Sequence, residues 1–374
     1  MIRISDAALF RGAAKRATFG AIRNPRVRKR VVAYGYFAAS RLKHGLRRPE
    51  QPSVELLLDY GKVLHHPFRV SCEIYRGNTF YGIGETLRAY AEYPKPIRAC
   101  IEHGVYFGEY VNPQETRHSG YPALITPSRT RQRHIAKTSQ IATVAVGPYI
   151  AYASPYLSEM AMATARSQLG RVLLVFASHG IEGLRAQYDT DRFISWIRQL
   201  QRATSTDRVL VCLYFRDIER GQAPVYEEAG FRVVTAGRRE DPQFLRRLRS
   251  LIELSVVTAS NSVGTHVGYC VYLERPHTIF AQAVQYEPAS LGYDSESALI
   301  TAESALSEKR VVLSAFDAPT TELSTHQRLV TDTYWGLSQI RSSEELREVF
   351  SAIHQVDKGL RPELPSSVTS SPLR

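Results

Sequence analysis

"GRVLLVFASHG" (residues 170–180) holds an unbroken apolar centre, Val172 to Ala177, that ends in a serine, a histidine and a glycine. An apolar run of that length, bounded by turn residues, reads as a strand buried on both faces. Such strands belong to parallel sheets, whose crossover helices cover both sides. The chain beyond it keeps the rhythm. "DTDRFISWIRQLQRAT" (189–204) has helical spacing, "DRVLVCLYFRD" (207–217) is a second buried strand, "APVYEEAG" (223–230) a helix, "FRVVTAG" (231–237) a strand and "DPQFLRRLRSLIEL" (241–254) a helix. "LSVVTA" (254–259) then leads into a helix, "VGTHVGYCVYLE" (263–274), and a strand at "HTIFAQ" (277–282). This alternation predicts a Rossmann-like domain over residues 158–345.

Residues 51–157 repeat the pattern less regularly and predict a smaller α/β domain. "SVELLLDY" (53–60) is a helix or strand, "FRVSCEIY" (68–75) a strand, "IGETLRAYAEY" (83–93) a helix, "IRACIEHG" (97–104) a strand ending in a loop, and "KTSQIATVAVGPYIAYA" (137–153) a strand with its exit loop. "TDTYWGLSQIRSSEELREVFSAIHQV" (331–356) reads as two helices, with a serine cap and first-turn acids in "SSEEL". Residues 346–374 comprise a crossing helix and a Pro/Ser-rich tail, "PELPSSVTSSPLR" (362–374), expected to be disordered.

The net charge of +12 is confined to one place. Residues 1–48 contain 13 of the 48 Lys and Arg residues and only Asp6 of the 36 acids, which leaves 35 bases and 35 acids in the body. A neutral body does not predict a nucleic-acid partner. Within this basic extension (1–50), "VVAYGYFAAS" (31–40) is too short to span a bilayer, which takes about 20 apolar residues. Arginines interleaved with Tyr and Phe suit a peripheral anchor on an anionic membrane surface, so a cytoplasmic protein held at the inner face of the membrane is expected. An extension packed on its own domain is the equal alternative, and an Arg-rich transit peptide a weaker one. Cys72, Cys100, Cys212 and Cys270 form no CxxC pair and read as small core residues in a reducing compartment. His65 and His66 lack a third ligand nearby, so no metal site is expected.

Ligands of open parallel sheets sit beyond the carboxyl ends of the strands, which directs attention to four loops. In "SNSVGTHVGYCVYLERPHTIF" (260–280), Ser260, Asn261, Ser262, Gly264, Thr265 and His266 gather where a strand hands over to a helix. Small side chains at a helix start let backbone N–H groups and hydroxyls approach a phosphate; the alternative is that Ser262 or Asn261 merely caps the helix. "ASHGIEG" (177–183) brings Ser178, His179 and Gly180 to a neighbouring strand end, with His179 able to donate to a phosphate or act as an acid, or simply to sit in a polar turn. Glu102 and His103 in "IEHGVYFGEY" (101–110) pair a carboxylate with an imidazole, as a general base for a hydroxyl requires. "FYGIGETLRAY" (80–90) is half a dinucleotide fingerprint, lacking glycine at Leu87; Gly82 and Gly84 there open a helix near a substrate.

Together, "EHGVYFG" (102–108), "VGPYIAYA" (146–153), "FASHGIEG" (176–183), "VCLYFRDI" (211–218) and the 260–280 segment resemble bacterial sugar transferases of the two-Rossmann-domain GT-B architecture, particularly those of surface-polysaccharide gene clusters. The resemblance covers about residues 55–345. It implies two domains facing a cleft, with a nucleotide sugar held by the second domain through Ser178, Gly180, Tyr214, Arg216, Ser260, Asn261, Ser262, Gly264, Thr265 and His266. The serine loop is similar to that of enzymes using CMP-linked acidic sugars, but Tyr214, Arg216 and Asp217 stand where a His-Pro pair is usual, which leaves the donor open. The resemblance further implies a transfer without metal or cofactor to a glycan or lipid-linked acceptor. His103 or Glu102 would serve as base, His179 as a further catalytic group, and Gly82, Gly84 and Tyr149 would lie on the acceptor side. A nucleotide-sugar epimerase or a non-catalytic nucleotide-binding Rossmann protein is the rival reading.

Overall fold

Side-chain alternation along the strands sorts the second domain into two apolar faces. In this computed structural model, which describes residues 22, 24–44, 51–180, 184–288 and 303–369, the first domain holds three parallel strands, β1 (Cys100–Ile101), β2 (Ala123–Thr126) and β3 (Ala142–Ala145), in that order. The second holds β4 (Val172–Phe176), β6 (Arg208–Cys212), β7 (Arg232–Val234), β8 (Val257–Ser260) and β9 (His277–Ile279), all parallel, in the order β7-β6-β4-β8-β9. Leu173, Val175, Val209 and Val211 point to one face, where Phe193 and Ile197 of helix Thr190–Ala203 and Tyr226 cover them. Val172, Leu174, Leu210 and Cys212 point to the other, against Leu245, Leu248 and Leu251 of helix Phe244–Leu254. Period-two burial on both sides is what the continuous apolar runs encode.

The strand order reverses between β4 and β8, the first and fourth strands of that sheet, with Phe176 in register with Ser260. Such a reversal splays the connections to opposite faces and opens a crevice at the strands' carboxyl ends. The structure adds an antiparallel ribbon of β5 (Leu184–Gln187) and β10 (Gln285–Pro288) that the sequence reading lacked.

Serine and aspartate caps fix several helix starts, and helix Ser343–Asp357 carries a full capping box from Ser342 and Glu345. That helix crosses back onto the first domain: its Phe350 packs on Tyr93, Arg347 donates to the Ala91 carbonyl, and Arg98 reaches both His354 and Asp357.

Three expectations are corrected, and one of the alternatives for the leader is observed. Residues 68–75 form no strand; the Val70 N–H donates to the Ser40 hydroxyl of helix Pro25–His44 and not to a neighbouring strand. Cys72 is exposed, so only Cys100, Cys212 and Cys270 serve as core residues. The tail is ordered as far as helix Ser366–Thr369, where Val368 is buried and its carbonyl accepts from Arg341; residues 370–374 lie outside the described residues. The leader, over residues 24–44, is a helix packed on its own domain. Lys29 donates to the His118 carbonyl at 2.6 Å, Arg26 to that of Gly120, and Arg26 pairs with Asp357 at 2.9 Å. Among the described residues no helix is long and apolar enough to cross a membrane.

Candidate functional site

Beyond the carboxyl ends of β4 and β8 lie residues 177–180 and 261–266. The Asn261 carboxamide ties these segments together, its Oδ1 accepting the Ser178 N–H at 2.6 Å. That bond uses one end of the amide; Nδ2 is buried without a partner, and so is the Ser178 hydroxyl. Beside them the His266 ring stacks on Phe176 at 4.7 Å and is hydrogen-bonded to the Ser262 backbone, while its Nε2 is buried and unpartnered. Burial pushes the His266 pKa down to about 3, helped by the nearby His179, so the imidazole is neutral. Buried polar groups in native folds are normally satisfied, and a cluster left open at a strand-end crevice marks a place for a ligand's polar atoms.

Helix Thr265–Tyr272 begins here with Gly264 as its N-cap and no side-chain cap bond. Neither Ser262 nor Asn261 closes the helix start, so the simple capping role fails for both. Ser260 is different from its neighbours. It is fully buried, its hydroxyl donates to the Ser262 carbonyl at 2.8 Å and lies 3.0 Å from His277 Nε2, so it braces the loop and is not available to a ligand. Thr265 is also engaged. Its Oγ1 accepts the Val105 N–H at 3.1 Å and its carbonyl accepts Trp335 Nε1 at 3.0 Å, which ties the helix start to the first domain.

The loop after β6 closes the third side. Tyr214 packs on the exposed His179 at 4.9 Å, and the His179 ring contacts the Gly180 carbonyl at 2.9 Å. The Gly180 N–H in turn donates to Asp217 at 3.2 Å. Burial raises the Asp217 pKa, against the opposing pull of His179 and Arg220. Arg216 is exposed, with its guanidinium 5.2 Å from the Phe215 ring centre. Asp217 and Arg220 thus support the loop from beneath.

Across the cleft, the sequence-derived pair Glu102–His103 splits into two roles. Glu102 is buried, and both its oxygens are taken: Arg131 Nε reaches Oε1 at 3.0 Å and Oε2 at 3.1 Å, Arg131 Nη2 reaches Oε1 at 2.7 Å, and Thr126 donates to Oε2 at 2.7 Å. A carboxylate so engaged positions its loop and has no lone pair aimed at an acceptor. His103 is half-buried inside an aromatic frame, with Phe80 edge-on at 5.5 Å, Tyr81 at 6.1 Å and the Tyr106 hydroxyl 3.2 Å from Nε2.

The remaining acceptor-side residues lie deeper than expected. A Cβ on Gly82 would meet the Pro242 carbonyl oxygen at 2.5 Å, and one on Gly84 the Asn78 carbonyl oxygen at 2.7 Å. Both glycines exist for close backbone approach and touch no open space. Tyr149 is buried beneath the cleft with an unpartnered hydroxyl, and its pKa is driven well up by burial and by Glu102, Tyr269, Glu115 and Tyr106.

Sequence reasoning missed Tyr81, which holds a left-handed φ of 58°, donates its N–H to the Arg239 carbonyl at 2.5 Å and packs on Phe244 at 4.8 Å. Its neighbour Gly82, at φ 70°, shares the turn that presses the two domains together. Arg131 was hidden in the basic run "RTRQRH". No group of three potential metal ligands occurs among the described residues. A cavity of about 620 Å³ at the opposite ends of β8 and β9 is lined by mutually balanced charges, including Arg328 with Glu274, and lies away from this crevice.

No family model and no curated protein matches the chain. Among solved structures it is similar to the wall teichoic acid polymerase TagF (12% identity, 70% of this chain and 69% of that one, TM-score 0.41). It is also similar to the S. aureus MnaA–UDP co-structure (11% identity, 76% and 80%, TM-score 0.36) and to the E. coli ADP-heptose LPS heptosyltransferase II (12%, 55% and 80%, TM-score 0.26). By its own topology, two Rossmann-like domains with parallel sheets, the loop after β1 bonded to the helix start after β8 through Val105 and Thr265, the chain has the GT-B architecture.

Proposed function

We propose that the protein is a glycosyltransferase that moves a sugar from a nucleotide-sugar donor to a glycan or lipid-linked acceptor in the synthesis of a bacterial surface polysaccharide. The observation that carries this reading is the set of unpartnered buried atoms Ser178 Oγ, Asn261 Nδ2 and His266 Nε2 at the switch point of the second sheet. The helix start beside them carries no side-chain cap.

In this reading the donor phosphates take hydrogen bonds from Ser178 Oγ, Asn261 Nδ2 and the first turn of helix Thr265–Tyr272, whose dipole favours negative charge. Arg216 adds a cation at the rim. His266 is neutral, so its Nε2 accepts, and it suits a hydroxyl of the donor better than a phosphate. His103 takes the acceptor proton as the acceptor oxygen bonds to the anomeric carbon. The bond from that carbon to the phosphate oxygen breaks, and its electron pair leaves with the nucleotide. In this reading the exposed His179 donates to the departing phosphate. The reading needs no cofactor.

Thermal unfolding against CMP, UDP, GDP and dTDP and their sugars tests the donor site, because a ligand bound to the native state raises the midpoint. One nucleotide series should shift it, and Ser178→Ala and Asn261→Ala should each reduce the shift. No shift with any nucleotide would overturn the assignment. Product analysis then separates transfer, which yields free nucleotide and a longer glycan, from epimerisation, which yields an isomerised nucleotide sugar.

A further inference from the structure

We infer that the outer face of helix Pro25–His44 rests on an anionic lipid bilayer and that this contact sets the acceptor wall of the cleft beside the membrane. The helix carries a second apolar face besides the one docked on its own domain. Its inner face buries Lys29, Ala33 and Ser40. Its outer face, at helical spacing, carries Val27, Val31, Tyr34, Ala38 and Leu42, of which Val27 and Val31 are 47% exposed, Tyr34 63% and Leu42 90%. A continuous apolar stripe from Val27 to Leu42, uncovered among the described residues, calls for a partner.

Charge identifies that partner. Arg41 and Arg30, the latter half-exposed and 4.0 Å from Asp357, border the stripe on one side and Arg28 on the other, and residues 1–48 as a whole carry a strong positive net charge. Two copies meeting face to face would bring these arginines together. Anionic headgroups would pair with them while valine and leucine reach the acyl boundary and tyrosine lies at headgroup level. The helix has 20 residues but is interrupted by charge, so it lies flat and does not cross.

Its placement gives the contact a use, and only this part rests on the transferase reading. Tyr36 lies 4.7 Å under the Arg76 guanidinium, Arg76 lies 5.6 Å from the Phe80 ring, and Phe80 meets His103 edge-on. A lipid-linked acceptor held in the same bilayer would therefore approach His103 from the side on which the helix lies.

Flotation of the full chain with vesicles tests the inference, comparing phosphatidylcholine alone with a mixture containing about one third phosphatidylglycerol. The full chain should float with the anionic vesicles. Val31→Asp/Tyr34→Asp/Leu42→Asp should lower the bound fraction about tenfold with an unchanged thermal midpoint. Arg30→Gln/Arg41→Gln should weaken anionic binding several-fold and reduce its sensitivity to salt. Equal flotation of the wild type and the triple variant would overturn the inference. So would a wild-type dimer in light scattering that the triple variant converts to monomer without any vesicle binding. Nucleotide-induced thermal shifts are read separately, so loss of the transferase reading and loss of the membrane face give different results.

Discussion

On the first-domain wall of the cleft, both oxygens of Glu102 are met by Arg131 and Thr126, whereas on the second-domain wall Ser178 Oγ, Asn261 Nδ2 and His266 Nε2 are met by nothing among the described residues. The first wall is a finished frame that holds His103 among aromatic rings. The second is a frame with openings. An unsatisfied buried group costs stability, and on the first domain the Tyr149 hydroxyl stands alone beneath the Glu102 loop, whereas on the second three such atoms cluster at adjoining strand ends, which points to the side where a polar ligand completes the structure.

The sharpest way to break this contrast is to create an opening on the closed wall. Arg131→Ala strands the Glu102 carboxylate in the interior and should cost about 3–5 kcal/mol in denaturant unfolding. A loss below about 1 kcal/mol would mean that water reaches Glu102, and would return it to candidacy as a base. Next in size is Gly268→Ala on the second-domain helix. A Cβ there would stand 2.2 Å from the Trp335 ring, so the variant should lose about 1–3 kcal/mol and loosen the helix start against Thr265.

The walls also differ in how they titrate. The first domain buries Glu73 and Glu115, whose pKa values are raised to about 7 and about 8 by desolvation. The unfolded carboxyls ionise near 4.5, so stability contributed by the neutral forms is lost as pH rises from there through the folded values. The second domain buries His266 at about 3 and His277 well below its usual value, both through desolvation. Between 6.5 and the folded values the unfolded histidines bind protons that the folded ones refuse, so stability is lost as pH falls. Each group tilts the profile by at most about 1.4 kcal/mol per pH unit. Glu115→Gln should flatten the loss on the alkaline side and His266→Phe that on the acid side, read from thermal midpoints across pH.

The smallest expected change in stability is the most telling. Ser178→Ala removes an unpartnered hydroxyl and should leave unfolding within about 0.5 kcal/mol of wild type, while weakening nucleotide binding about tenfold. Loss of stability without loss of binding would show that the hydroxyl serves the fold.

The second domain was legible because its strands are continuous apolar runs and its helices strongly periodic, so position along the chain implied position in the sheet. "FRVSCEIY" misled because its β-rich composition serves contact with the leader helix, and composition does not name a partner. The β5–β10 ribbon joins segments about a hundred residues apart with no local turn to announce it. At the site, the types of atom were legible but their commitments were not. Ser260 and Ser262 look alike in sequence; only the adjacent β9 strand, with His277, distinguishes them. Glu102 looked catalytic because its partner, Arg131, stands 29 residues away in a basic run.

Asp357 gathers Arg26 and Arg30 from the leader helix and Arg98 from the first domain. A chain emerges from the ribosome N-terminus first. The leader's inner face therefore has no anchor at Asp357 until helix Ser343–Asp357 has been made, long after the helix itself. Its bonds to Val70, His118 and Gly120 need only the first domain, so the Asp357 pairings come last and lock the leader against the returning helix.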